Sequence, residues 1–197
     1  MTDRIFIALE LPPEHRKRVE TLLSRWARTY PAGINWVKPV NLHLTVLFVG
    51  DVETGIMPDL CEAVASVSQL FTPIDLSLWG CELFPANEPR LLWVKLSPKD
   101  QRIYDLPRAL LKALRPLGCT PDVKPLKLHV TLGRIKRMPV NLDAPEILSA
   151  PIQTERLPYS CLSIYDSILR PDGPEYHLID QYDLNKENSG GNNAGKE

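Results

Sequence analysis

Two stretches, Leu42-His43-Leu44-Thr45-Val46-Leu47 and Leu128-His129-Val130-Thr131-Leu132-Gly133, spell nearly the same word. Each is His-x-Thr set among apolar residues. Side chains alternate faces along a strand, so His43 and Thr45 point one way and Leu42, Leu44 and Val46 the other. The second copy repeats this, with His129 and Thr131 against Leu128, Val130 and Leu132. Both stretches read as strands with one packed side and one polar side. If two such halves face each other, two imidazoles and two hydroxyls converge in one cleft. A single His-x-Thr strand reads as structural; the second copy is what points to a site. The other two of the four histidines, His15 and His177, lack a threonine two residues on. They read as surface or structural, His15 on the exposed face of its helix.

The flanking segments supply the rest of the fold. Arg4–Leu11 is an apolar run ended by Pro12-Pro13, which reads as a buried strand. In Pro13–Tyr30, Val19, Leu22, Leu23 and Trp26 form one helical stripe, and proline suits the first turn. Ile34–Val37 and Leu42–Val49 read as strands, with a break at Gly50-Asp51. Thr54–Leu70 is a second helix. Ile74–Trp79 is a strand followed by a turn-rich stretch, and Leu91–Leu96 is another strand. Asp100–Leu117 is a third helix, whose Pro107 predicts a late start or a kink. Leu126–Ile135 carries the second His-x-Thr, and Met138–Ser149 a turn or short helix. Thr154–Ile168 contains one long strand, which Glu175–Asp180 joins across Pro171-Asp-Gly-Pro174. The fold class is α+β, helices outside and sheet inside. Residues 1–184 form a single domain. Residues 185–197 read as a disordered tail, because Ala194 is the only apolar residue in Lys186–Glu197.

The chain has 197 residues, long enough for a sizeable core without disulfides or metal. Lys+Arg is 23 and Asp+Glu is 24, a net charge of −1. That balance excludes a non-specific nucleic-acid coater but not a site gripping one phosphate. Positive charge is local: Lys124, Lys127, Arg134, Lys136 and Arg137 surround the second motif. The 19 prolines suggest many corners between short elements. Cys61, Cys81, Cys119 and Cys161 are widely spaced and read as reduced thiols of a cytoplasmic protein. Neither a signal peptide nor a membrane span is evident, and monomer is the default.

Paired His-x-Thr strands suit phosphoryl chemistry on a small ester. A neutral imidazole takes a proton from water, an imidazolium gives one to the leaving oxygen, and threonine hydroxyls hold phosphate oxygens. At these residues the chain resembles the two-histidine phosphoesterase superfamily, and within it the RNA 2′,3′-cyclic phosphodiesterases, also called 2′-5′ RNA ligases. The likeness runs from Arg4-Ile-Phe-Ile-Ala-Leu-Glu-Leu-Pro12 through Trp36-Val-Lys-Pro39, Asn41–Thr45, Phe48-Val-Gly50 and His129–Arg134 to Ser167–Tyr176. The resemblance implies a bilobal fold, two antiparallel sheets facing a central cleft. It implies hydrolysis of RNA 2′,3′-cyclic phosphate ends to 2′-phosphates without a metal or other cofactor. His43 would be the general acid and His129 the general base. Thr45 and Thr131 would hold the phosphate, with Arg134 helping if the strand bends at Gly133, since strict alternation turns Arg134 to the buried side. Substrates would be RNA with a cyclic end, tRNA halves among them, or small cyclic nucleotides. The same residues would serve 2′-5′ end joining or opening of an ADP-ribose cyclic phosphate, and an RNA-end-binding module without turnover is a further reading. Gly133 stands where the family often has Ala, and Val46-Leu-Phe lacks a basic residue found near that point in others.

Overall fold

The computed structural model describes residues 2–121, 123–170 and 173–185. Residues 186–197 of the expected tail and residues 171–172 of the expected turn lie outside the described residues. Among the described residues, nine strands and four α-helices follow in the order β1 (Thr2–Leu9), α1 (Pro13–Thr29), β2 (Ile34–Trp36), β3 (Leu44–Glu53), α2 (Met57–Ser68), β4 (Ile74–Phe84), β5 (Leu91–Pro98), α3 (Asp105–Leu114), β6 (His129–Ile135), α4 (Ala144–Leu148), β7 (Leu157–Tyr159), β8 (Cys161–Arg170) and β9 (Gly173–Asp183). They build two antiparallel sheets, β3-β1-β8-β9 and β2-β6-β5-β4-β7. The α+β reading and the two-sheet architecture hold.

Each His-x-Thr strand packs by its intervening apolar residues. Leu42, Leu44, Val130 and Leu132 are almost wholly buried, while the histidines and threonines between them are only partly so. The helices are exchanged between lobes. α1 follows a strand of the first sheet but is tied to the second lobe, through His15 to Tyr159, Arg25 to Glu146, and the Tyr30 hydroxyl, which accepts from the Asp143 amide. α3 follows a strand of the second sheet but packs with α2 behind the first. The two lobes therefore share one continuous core. Pro107 falls in the first turn of α3, and a 3-10 turn at Gln101–Tyr104 precedes it, which is the late start the proline implies.

Four expectations need correction. His15 is 1% exposed, on the same stripe as Val19, Leu23 and Trp26. Its Nε2–H donates to the Glu155 carbonyl and its Nδ1 accepts from Tyr159. The spacing of four residues from His15 to Val19 already put it in phase with the apolar face. Secondly, β3 runs on through Gly50-Asp51 to Glu53, because bulges at Val49 and Val46 absorb the irregularity and Gly50 takes φ 91°. β4 likewise continues to Phe84 across a bulge at Trp79. Finally, the single strand expected over Thr154–Ile168 is two. β7 pairs with β4 in the second sheet and β8 with β1 in the first, so the chain changes lobes at Ser160.

Candidate active site

The two sheets face each other across a cleft of about 820 Å³. His43, Thr45, His129, Thr131 and Arg134 all line it, so the structure brings together every residue singled out by the two motifs. Both imidazoles are held by one device. The ring Nδ1 of His43 lies 2.8 Å from the Asn41 carbonyl, and that of His129 lies 2.7 Å from the Lys127 carbonyl. A carbonyl only accepts, so each Nδ1 carries a proton and each neutral ring keeps its lone pair on Nε2. The partner is the residue two before the histidine in both halves.

The surroundings differ. Phe6 packs on the His43 ring with centroids 4.9 Å apart, and Tyr176 meets it edge-on at 5.4 Å. Beneath Phe6 stacks Tyr165, whose hydroxyl donates to Glu10. Glu10 pairs with Arg16, and the same guanidinium donates to the carbonyls of Pro39 and Leu42. Arg16 thus clamps the turn that presents the Asn41 carbonyl to His43. Thr45 donates to His43 Nε2 at 2.9 Å. Burial is the main cause that lowers the His43 pKa, to about 4; the Asn41 carbonyl opposes it, and His129 and Arg16 add to it.

His129 leans on Trp93, with centroids 4.3 Å apart. The Trp93 Nε1–H donates to Glu82, and Phe84 stacks on its other side. Burial again lowers the imidazole pKa; the Lys127 carbonyl and Glu82 oppose it, while Lys127 and Arg134 add to it. Both rings are therefore neutral at pH 7 when the cleft holds no anion.

A bulge explains Arg134. Thr131 pairs with Trp93 and Gly133 with Leu92, so Leu132 is the extra residue. Leu132 and Gly133 are both buried, and Arg134 returns to the cleft face. The Arg134 guanidinium acts on Tyr176 of the other lobe: burial raises the Tyr176 pKa, and the nearby guanidinium partly offsets the rise. The first motif carries the same device, its bulge at Val46. Gly133 suits this packing: a Cβ there would lie 2.6 Å from Ile34 Cγ2 and 3.1 Å from Trp36 Cε3.

Of the basic run, Arg134 and Lys136 reach the cleft, joined by Arg4, Lys38 and Arg170 from distant positions. No carboxylate is among the described lining residues. Lys127 instead lies over the Phe84 ring, 3.8 Å from its centroid. Phe6 and Trp36 also line the cleft, although Phe6 is only 2% exposed. The sequence reading does not single out Trp93, Tyr165, Tyr176 or Arg16, for which alternation within the paired strands and the Glu10–Arg16 spacing are the available signals.

Two opposed sheets, each presenting an Nε2 and a threonine hydroxyl, define a two-histidine phosphoesterase. The family described as LigT-like phosphoesterase matches residues 9–93. An RNA 2′,3′-cyclic phosphodiesterase of Thermus thermophilus is 30% identical over 191 residues, covering 93% of this chain and 91% of its own. Another bearing that name, from Archaeoglobus fulgidus, is 28% identical over 88% of this chain and 96% of its own. A solved structure from Thermus thermophilus superposes with a TM-score of 0.78 at 26% identity, covering 93% of this chain and 99% of that one. E. coli LigT complexed with NADP+ shares the fold, with a TM-score of 0.71 at 20% identity, covering 94% of this chain and 100% of that one. The chain belongs to the LigT-like phosphoesterase family. Among the described residues no helix is long and apolar enough to cross a membrane.

Proposed function

We propose that this protein opens 2′,3′-cyclic phosphates at RNA ends and leaves a 2′-phosphate. The observation that carries the reading is the matched pair of imidazoles lining one cleft, each with Nδ1 locked to a carbonyl so that Nε2 is the nitrogen available for proton transfer, that of His43 held by Thr45. The names of the relatives agree with it.

In the proposed reaction His129 Nε2 takes a proton from water as the water oxygen attacks phosphorus. The bond from phosphorus to the 3′ oxygen breaks. Protonated His43 gives its Nε2 proton to that oxygen, and proton exchange with solvent resets both rings. Thr45 and Thr131 donate to the non-bridging oxygens, and Arg134 faces the charge that builds there. His43 needs a charge it lacks in the free protein. The substrate's phosphate provides the remedy, since a nearby anion favours imidazolium and raises the pKa. The Thr45 hydroxyl, turning from His43 to the phosphate, frees Nε2 at the same moment.

The test is a short RNA with a 2′,3′-cyclic end incubated in excess EDTA. A 2′-phosphate product supports the reading. A 3′-phosphate, or no turnover together with tight binding, overturns it.

A further inference from the structure

The cleft is far longer than one phosphate requires, and its two ends differ. Beyond His43, on the sheet β3-β1-β8-β9, lie Phe48 and Leu169, which are 56% and 69% exposed although the chain buries most of its apolar residues. Arg4 and Arg170 edge the same end. At the other end the aromatic residue is Trp36, which is already engaged: its Nε1–H donates to the Tyr30 carbonyl, and its ring abuts Gly133. Phe48 meets Phe6 on one side, with centroids 6.1 Å apart, and leaves the rest of its ring to the cleft beside these cations.

In-line displacement assigns a direction. Attacking and leaving oxygens lie on opposite sides of phosphorus, so water enters from the side of His129. The 3′ oxygen, and the ribose that bears it, lie on the side of His43. The RNA continues from that ribose over the His43 sheet, toward Phe48. The Phe6 ring stands between the two, its centroid 4.9 Å from that of His43 and 6.1 Å from that of Phe48, so Phe48 lies one ring beyond the residue that faces the reacting ribose.

We propose that Phe48 and Leu169 form a stacking shelf for the nucleotides 5′ of the cyclic end, with Arg4 and Arg170 alongside their phosphates, so that the preferred substrate is a single-stranded oligonucleotide. Every base has a π-face, so such a shelf is indifferent to sequence. Arg170 shares its guanidinium with Glu175, which leaves Arg4 the main phosphate partner. This rests on the hydrolysis proposed above.

The experiment compares kcat/KM for 2′,3′-cyclic AMP and for a trinucleotide ending in the same cyclic phosphate. The wild type should prefer the trinucleotide. Phe48→Ala should cut that preference about tenfold or more, the loss expected of one base–aromatic stack, and Phe48→Trp should keep it. Phe48 is exposed, so neither change empties the core. A wild type with no preference, or a Phe48→Ala loss equal on both substrates, overturns the shelf. Failure of the wild type to open either substrate overturns the hydrolysis itself, and the shelf with it.

Discussion

His43 and His129 are held alike and surrounded differently. Each donates Nδ1–H to the carbonyl two residues before it, and each precedes a threonine followed by a bulge. Around His43 the packing is aromatic and layered, with Phe6, Tyr176 and Tyr165 backed by Glu10 and Arg16. Around His129 there is one indole, flanked by Lys127 and followed by Arg134. Five residues past the histidine, the first motif places exposed Phe48 and the second exposed Arg134. A shared strand geometry delivers two equivalent nitrogens. The neighbours make them inequivalent, as the proposed acid and base roles require.

Replacing either histidine by alanine gives the largest effect and tests the equivalence. Each change should lower kcat about 10²–10⁴-fold, the usual worth of one acid or base. The double variant should show no residual turnover above the weaker single. Near-normal single-turnover hydrolysis in either single variant would make the two halves unequal partners and end the two-histidine scheme.

Arg16→Gln breaks the clamp on one side only. Loosening the Pro39–Leu42 turn should cost kcat about tenfold to a hundredfold with little change in KM, because it misplaces the ring proposed as the acid. Arg16→Lys should recover part of it. A loss confined to KM or thermal stability would reduce Arg16 to a packing residue.

A pH profile separates the two rings further. His43 sits near pKa 4 without substrate, and in the proposed mechanism a bound phosphate raises it. The alkaline limb of kcat, which reports the complex, should therefore lie at higher pH than that of kcat/KM, which reports the free protein. Coincident limbs would contradict the anion's role. The same shift bears on stability. An unfolded histidine binds its proton near 6.5 and folded His43 only near 4. The contribution is therefore complete above pH 6.5 and lost as pH falls toward 4. His43→Gln should flatten urea-measured stability across that window.

Gly133→Ala should cost about 1–3 kcal/mol as overpacking against Ile34 and Trp36, and move Arg134 with it; calorimetry and the KM for phosphate-bearing substrates would show both. Salt gives the smallest effect. A short RNA end brings few phosphates to the cleft, so the log–log salt dependence of oligonucleotide binding should be shallow, roughly 0.7 per phosphate engaged. A steep slope would require a longer RNA track than the described cleft offers.

The His-x-Thr strands were legible because strand period alone separates His43 and Thr45 from Leu42, Leu44 and Val46. Arg134 was legible as a candidate but not as a placement: alternation puts it inside, and only the bulge at Leu132 brings it out. A bulge depends on pairing with β5, and pairing is not local. The boundary at Ser160 was hidden for a similar reason, since β7 and β8 differ in their partners and not in their residues. His15 should have been read as buried, being in phase with Val19.

By itself the sequence determined the elements, the two motifs, the class of chemistry that two imidazoles and two hydroxyls serve, and a nearly neutral chain with local positive charge. These follow from short-range periodicity and from side-chain chemistry. The tertiary structure decided which cations meet in the cleft, how deeply each imidazole is desolvated, and which face Arg134 takes. Arg4, Lys38 and Arg170 are far apart in the chain and converge only because the sheets close on one another. Burial, the leading cause of both histidine shifts, is likewise a property of the assembled lobes.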